Sequence, residues 1–255
     1  MEKEYYKVYY DLERNHWWFT AREKIILKQI DLLFSSGRFQ KGNVKILNIG
    51  CGTGRSSEYL SAFGDVTSVE YDQFCCSFTR EKTGLDILHG SITALDFQDE
   101  SFDLVCAFDV IEHVEDDVPA VEEMKRVSKK GGAIVITVPA FMIHWSHHDE
   151  VNHHFRRYRL HQIRSLFCKN PNGKELFASY FNFWLFMPIL IARKVSVHLK
   201  WLIRRKGAGS DFETFKPGMT NNLLHHLMDS ENLFLGRKIP LPFGVSIIFS
   251  WLKNK

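Results

Sequence analysis

No apolar run in this chain of 255 residues approaches the roughly 18 to 20 residues that cross a bilayer, so no membrane-spanning helix is expected. The five cysteines, two of them adjacent at 75 and 76, offer neither a disulfide framework nor metal-ligand spacing. Together with a charged N-terminus that lacks a signal-peptide pattern, they point to a reduced, cytoplasmic setting. A net charge of +3 is too small to imply a nucleic-acid partner, and none is expected. A phosphate-binding P-loop is missing too, because Gly54-Arg55-Ser56 stands where Gly-Lys-Ser/Thr would be needed. The dinucleotide fingerprint fails at the same place, with Arg55 where its third glycine belongs.

What is present begins at Val44. Val44, Ile46, Leu47 and Ile49 form a continuous apolar run of strand length, the pattern of a strand buried on both faces. Glycines at 50, 52 and 54 follow, permitting positive φ and a close backbone approach to a ligand, and a helix-competent segment comes next. Val66 to Asp72 reads as a second strand carrying Glu70, about twenty residues after the first glycine. A carboxylate there can accept hydrogen bonds from both hydroxyls of a ribose, so the expected ligand is an adenosine.

Further strands are expected near 85 to 88, 103 to 108 and 132 to 138, with helices near 54 to 63, 73 to 82 and 116 to 128. This alternation predicts a parallel sheet covered on both faces, with ligands at the carboxyl ends of its strands. A hydrophobic content of 45% supports one elaborated domain over 1–255. It divides into an aromatic-rich helical cap (1–40), a core (41–181), a helical insertion (182–238) and a last strand (239–255). Lys174 to Tyr180 is a candidate sixth strand, and Phe243 to Leu252 a seventh.

Four ordered blocks carry a family resemblance: Ile46 to Gly54; Val69 to Asp72; Phe102 to Val105 with Asp109 to Val114; and Arg126 to Pro139. With them the chain resembles the class I S-adenosylmethionine-dependent methyltransferases. The resemblance implies an α/β, Rossmann-like, seven-stranded and mostly parallel sheet whose last strand inserts antiparallel. It also implies S-adenosylmethionine as cofactor and S-adenosylhomocysteine as product. The expected cofactor contacts are Gly50, Cys51, Gly52, Gly54, Glu70, Tyr71, Ser91, Ile92 and Asp109. Cys51 serves as a small spacer in the loop. In the family an acid often follows the glycine after the third strand, where this chain has Ser91, so adenine recognition leans on Ser91, the backbone and packing against Ile92. Arg22, from the cap, is placed to neutralise the cofactor carboxylate.

Asp109, Glu112 and His113 are spaced to share one face of a helical turn. Such a trio can hold a divalent cation, or His113 can act as general base oriented by Glu112, and no metal is assigned. Phe141 to Tyr158 holds five histidines without His-Glu-x-x-His spacing, so no metal is assigned there either. It resembles a bacterial methyltransferase subgroup, often associated with cell-surface glycan or lipid-linked pathways, that has His-Asp-Glu, His and Arg-Arg-Tyr after the fifth strand. That subgroup also tends to carry the His16 to Phe19 and Ala21-Arg22 elements. His148 and His153, with His113 behind them, are the candidate bases, and Arg156, Arg157 and Tyr158 the candidate substrate contacts.

The insertion opens with apolar Phe181 to Ala192 and continues through Arg193, Lys194, Lys200, Arg204, Arg205 and Lys206 without one acid. It reads either as a helix at an anionic membrane face or as a lid over the acceptor. The expectation is therefore a cytoplasmic O-methyltransferase acting on a small or glycan/lipid-linked acceptor, with peripheral contact at the inner membrane face as a further expectation. The alternatives are a membrane-associated or partner-binding module that keeps the fold, and a nicotinamide-dependent oxidoreductase.

Overall fold

The structure is a computed structural model that describes residues 5–168, 172–203 and 218–254. Five strands, β1 (Lys45–Ile49), β2 (Asp65–Glu70), β3 (Ile87–His89), β4 (Phe102–Phe108) and β5 (Ser128–Pro139), are joined by β6 (Gly173–Phe181) and β7 (Ser246–Lys253) in one sheet. Its order is β3-β2-β1-β4-β5-β7-β6. The first five run parallel, and β7 pairs antiparallel with both β5 and β6. β6 therefore points the same way as β5. The residues after Phe181 leave from the sheet edge that also carries the residues after β1, β2 and β4.

Strand periodicity sorts the core. Leu47, Val105, Ala107, Ile134 and Ile136 face α5 (Asp117–Val127) and α7 (Leu160–Cys168), where Met124, Ile163 and Phe167 are buried. Ile46, Leu104, Cys106 and Val135 face the opposite way, against Ile25, Ile26 and Ile30 of α2 (Trp17–Ser35). Both faces are dry, so the strands read as continuous apolar runs. Each large side chain buried this way, such as Phe249 or Trp251, contributes about 1.5–3 kcal/mol.

The expected cap is two helices with different duties. Most of α2 packs on the sheet face, whereas α1 (Tyr5–Asn15) and the first turn of α2 lie over the sheet's carboxyl edge. The insertion supplies α8 (Phe186–Ile203), α9 (Met219–Asp229) and α10 (Asn232–Leu235). It docks on α2: Asn221 Oδ1 accepts from the Trp17 N–H at 2.8 Å, and Lys24 pairs with Asp229 at 2.9 Å. Arg204, Arg205 and Lys206 lie outside the described residues.

Two boundaries moved for local reasons. The helix expected over 54 to 63 is α3 (Arg55–Leu60), because the chain must turn to bring Gly64 against Val44, where a Cβ would sit 2.1 Å from the carbonyl oxygen. α4 (Gln73–Thr83) is set by its ends: Asp72 accepts from the N–H groups of Phe74 and Cys75, and Gly84 closes the helix at φ 72°.

Candidate active site

The carboxyl edge opens into a cavity of about 1380 Å³ walled by the glycine loop, α1, the first turn of α2, the segment after β5 and the start of the insertion. At one end, the chain leaves β1 through Gly50, Gly52 and Gly54 at φ 67°, 53° and 89°. A Cβ at Gly50 would lie 2.5 Å from Val110 Cγ2, so only glycine fits. A Cβ at Gly52 would meet nothing closer than Glu13 Oε1 at 3.7 Å, which leaves that face for a ligand. Glu70 ends β2 with Oε2 accepting from the Gly52 N–H at 2.9 Å and Oε1 from the Asp72 N–H at 3.0 Å. Burial raises its pKa, opposed by those N–H groups and that of Tyr71. Glu70 also lines the cavity, where its carboxylate is an acceptor.

Tyr71, Ser91 and Ile92 line the same end. Tyr71 is exposed, its ring stacked on His89, and the Ser91 hydroxyl lies 2.8 Å from that of Thr93. Two expected contacts are corrected. The Cys51 side chain turns into a small core with Cys76 and Ile87, where burial and then Glu70 raise its thiol pKa, because the turn points it away from the cavity. Gly54 sits outside the lining as the left-handed N-cap of α3, packed so closely that a Cβ would lie 2.9 Å from Thr79 Cγ2.

The proposed trio after β4 is divided. Asp109 stands at φ 56° and pairs with Arg22 at 2.5 Å, while Arg22 also donates to Thr137 Oγ1 at 3.0 Å. The Nε of Arg22 is buried without a hydrogen-bond partner. Burial works against the Arg22 charge, and Asp109, Tyr59, Tyr9 and Glu13 outweigh it, so the pKa rises. Glu112 lies in the short 3-10 turn Ile111–His113, fully buried, with neither carboxylate oxygen hydrogen-bonded. Burial, followed by the Asp109 charge, drives its pKa well above the carboxylate range.

The far end of the cavity is the histidine wall. His113, His148, His153 and His154 line it, the rings of His113 and His154 meeting edge to face at 4.6 Å. His148 lies on the short helix α6 (His147–Val151), and His153 follows it at φ 57°. Burial pushes His113 down to about 3, assisted by the neighbouring histidines, so its ring is neutral. Asp149 organises the wall: it accepts from Arg157 Nε at 2.7 Å and from the Ser146 N–H at 2.9 Å, and it lies 2.9 Å from His154 Nδ1. The expected anion grip is corrected accordingly. Arg157 is at the cavity but buried and paired with Asp149, whereas Arg156 and Tyr158 both reach Asp117, at 3.2 and 2.8 Å, and tie the segment to α5.

Three residues at the cavity escaped sequence reasoning. Glu13, from α1, hydrogen-bonds the Thr53 hydroxyl, and burial raises its pKa to about 7. Tyr6 donates to Asp72 at 2.8 Å. Asn182, at φ 58° and fully buried, has neither amide atom hydrogen-bonded. Its turn is fixed by Glu231, which accepts from the N–H groups of Asn182, Phe183 and Trp184. No local pattern announces a contact across 49 residues; the only signal was an asparagine at a strand end.

A seven-stranded sheet with one antiparallel strand, a glycine loop after β1 and an acid ending β2 define the class I methyltransferase fold. Residues 47–136 match the family model described as a methyltransferase domain. A demethylmenaquinone methyltransferase of Staphylococcus aureus (strain MRSA252) is 32% identical over 112 residues, 38% of this chain and 46% of that protein. The chain thus spans less than half the length of the curated relatives it matches. Among solved structures, an S-adenosylmethionine-dependent methyltransferase of Thermotoga maritima aligns over 98% of both chains at TM-score 0.55 and 18% identity. Phosphoethanolamine N-methyltransferase 2 of Haemonchus contortus, in complex with S-adenosylmethionine, aligns over 85% of this chain and 50% of its own at TM-score 0.53 and 17% identity.

Proposed function

We propose that this protein transfers a methyl group from S-adenosylmethionine to an oxygen of a small or glycan/lipid-linked acceptor. The observation that carries this reading is the single cavity joining the glycine loop to the histidine wall, roofed by the cap and the insertion. The residues fit the cofactor. Glu70 places a carboxylate at the cavity for a ribose hydroxyl, Gly52 leaves the loop face open, and the unpartnered Nε of Arg22 suits the methionine carboxylate. Ser91 and Ile92 border the adenine side.

Bound S-adenosylmethionine supplies a methyl group on a sulfonium, which leaves as a neutral thioether when an acceptor oxygen attacks in line. The chain's own work is alignment, exclusion of water and removal of the acceptor proton. His148 and His153 on the cavity wall take the base role, with His113 behind them. Apolar Leu185, Pro188, Ile189 and Leu224 wall the acceptor side and suit an acceptor with an apolar body. On the outer face of α8, Met187, Ile191 and Val195 are more than half exposed at four-residue spacing, which supports peripheral contact with a membrane carrying such an acceptor.

Calorimetry with S-adenosylmethionine, S-adenosylhomocysteine and NAD tests the class. Binding of the first two and not NAD is expected; NAD binding alone, or none of the three, would overturn it. Mass spectrometry of extracts incubated with protein and cofactor then identifies the acceptor by its methylated product. Flotation with anionic liposomes tests the membrane contact, which changing Met187, Ile191 and Val195 to Ser should abolish.

A further inference from the structure

We infer that Glu13, on the cap helix α1, is a cofactor-binding residue that receives the ammonium group at the amino-acid end of S-adenosylmethionine. This rests on the methyl-transfer reading and gives the cap a duty within it. Glu13 spans from α1 to the glycine loop. Its Oε2 accepts from the Thr53 hydroxyl, and its Oε1 is the nearest atom to the open face of Gly52, 3.7 Å from where a Cβ would stand. Gly50 and Gly54 are closed off by Val110 and Thr79, so a carboxylate oxygen stands over the loop glycine that is left clear for a ligand.

The charges around that face match an α-amino acid. Ammonium and carboxylate share one carbon there, so the groups that bind them must be neighbours of opposite sign. Arg22 and Glu13 are such neighbours: both line the cavity, and each charge favours the other, Glu13 raising the pKa of Arg22 and Arg22 lowering that of Glu13. The Nε of Arg22, buried and without a hydrogen-bond partner, is the donor already given to the methionine carboxylate. The other acids at this end of the cavity are engaged. Asp109 pairs with Arg22, Asp72 accepts from Tyr6 and from the N–H groups of Phe74 and Cys75, and Glu70 accepts from those of Gly52 and Asp72. At the end of β1 stands an amide instead of an acid, Asn48, which donates to Ser56 and Ser57 at 2.8 Å.

Burial raises the Glu13 pKa to about 7, with Glu58 adding to the rise and the Thr53 hydroxyl, Arg22 and Arg14 opposing it. Above that pH Glu13 is mostly an anion, and an ammonium beside it would hold it in that form. Arg14 does not fill this place, because its guanidinium is paired with Glu58 on α3. S-adenosylhomocysteine carries the same ammonium, so the contact serves cofactor and product alike. Methylthioadenosine, which keeps the adenosine and the sulfur but has no amino-acid end, cannot make it.

The test is calorimetry on the full chain at about pH 7.5, above the Glu13 pKa, with S-adenosylmethionine, S-adenosylhomocysteine and methylthioadenosine, comparing wild type with Glu13→Gln. Glutamine keeps the length of the side chain and an acceptor for Thr53 but removes the charge. The variant should lose about tenfold in affinity for the first two ligands, through one charge-assisted hydrogen bond, and less than about twofold for methylthioadenosine, whose retained binding also shows that the variant is folded. Should the glutamine variant not fold, Glu13→Asp, which draws the carboxylate back by one carbon, should give the same selective loss. Loss for S-adenosylmethionine alone would assign Glu13 to the sulfonium and overturn the inference. Equal loss for all three ligands would make Glu13 a structural tie between α1 and the loop and overturn it as well, as would undiminished affinity throughout. Wild type that binds neither S-adenosylmethionine nor S-adenosylhomocysteine would overturn the methyltransferase reading itself, and the inference with it.

Discussion

The two ends of the cavity are built in opposite ways. At the glycine-loop end, Gly50, Gly52 and Glu70 are positioned by β1 and β2, adjacent parallel strands, and their geometry is mostly backbone: positive φ and N–H groups turned toward a carboxylate. At the histidine-wall end, Glu112, His154 and Asn182 come from three separate segments and are held by side chains that are themselves held, such as Asp149 by Arg157 and the turn at 182 by Glu231. A backbone site tolerates little substitution at its glycines, whereas a side-chain site divides its tolerance among many positions.

That contrast orders the expected effects. Gly52→Val should reduce S-adenosylmethionine affinity by more than about 100-fold while the chain still folds. The added side chain enters ligand space, and the φ of 53° costs about 1–2 kcal/mol. Calorimetry beside a thermal melt measures both, and unchanged affinity in the folded variant would refute the glycine-loop assignment. Glu70→Ala should weaken the cofactor about 10- to 100-fold through loss of a charged acceptor worth about 1.5–3 kcal/mol. A loss of less than threefold would place the ribose elsewhere.

The acceptor end should respond differently. Asn182→Leu is expected to lower kcat/KM for the acceptor about tenfold with cofactor affinity within about twofold, since Asn182 lines the cavity beside Leu185 with its amide atoms not hydrogen-bonded. Equal losses in both quantities would erase the distinction between the two ends.

The smallest effect concerns Glu231, whose pKa burial raises from 4.5 to about 7 against the pull of three backbone N–H groups. The folded state therefore binds the proton more tightly than the unfolded chain. The stability this provides is fully present below about 4.5 and is lost as pH rises through about 7. Relative to wild type, Glu231→Gln should gain stability on the order of 1 kcal/mol between pH 5 and pH 8 in denaturant titrations. A difference independent of pH would mean that Glu231 does not titrate in this window.

Most of the sheet was legible because a buried parallel strand must be apolar on both faces, and β1, β4 and β5 read that way before any coordinates. The glycine loop and Glu70 were legible for a similar reason, as their duties depend on conformations and spacings set within one βαβ unit. The histidine wall was legible only as composition. That His154 rather than Asp109 joins Glu112 and His113 depends on how the segment after β5 folds back, and no spacing encodes it.

The sequence by itself therefore determined the fold class, the glycine loop and Glu70 at one end of the cavity and the segments that carry polar chemistry. Tertiary structure alone decided that Arg156 and Tyr158 brace α5, that the cap and the insertion lock together across α2, and that a buried carboxylate is left beside two imidazoles. The physical reason is range. Backbone conformation and hydrophobic periodicity are written over a few residues, whereas pairing among buried polar groups is settled only when distant segments exclude water from the same space.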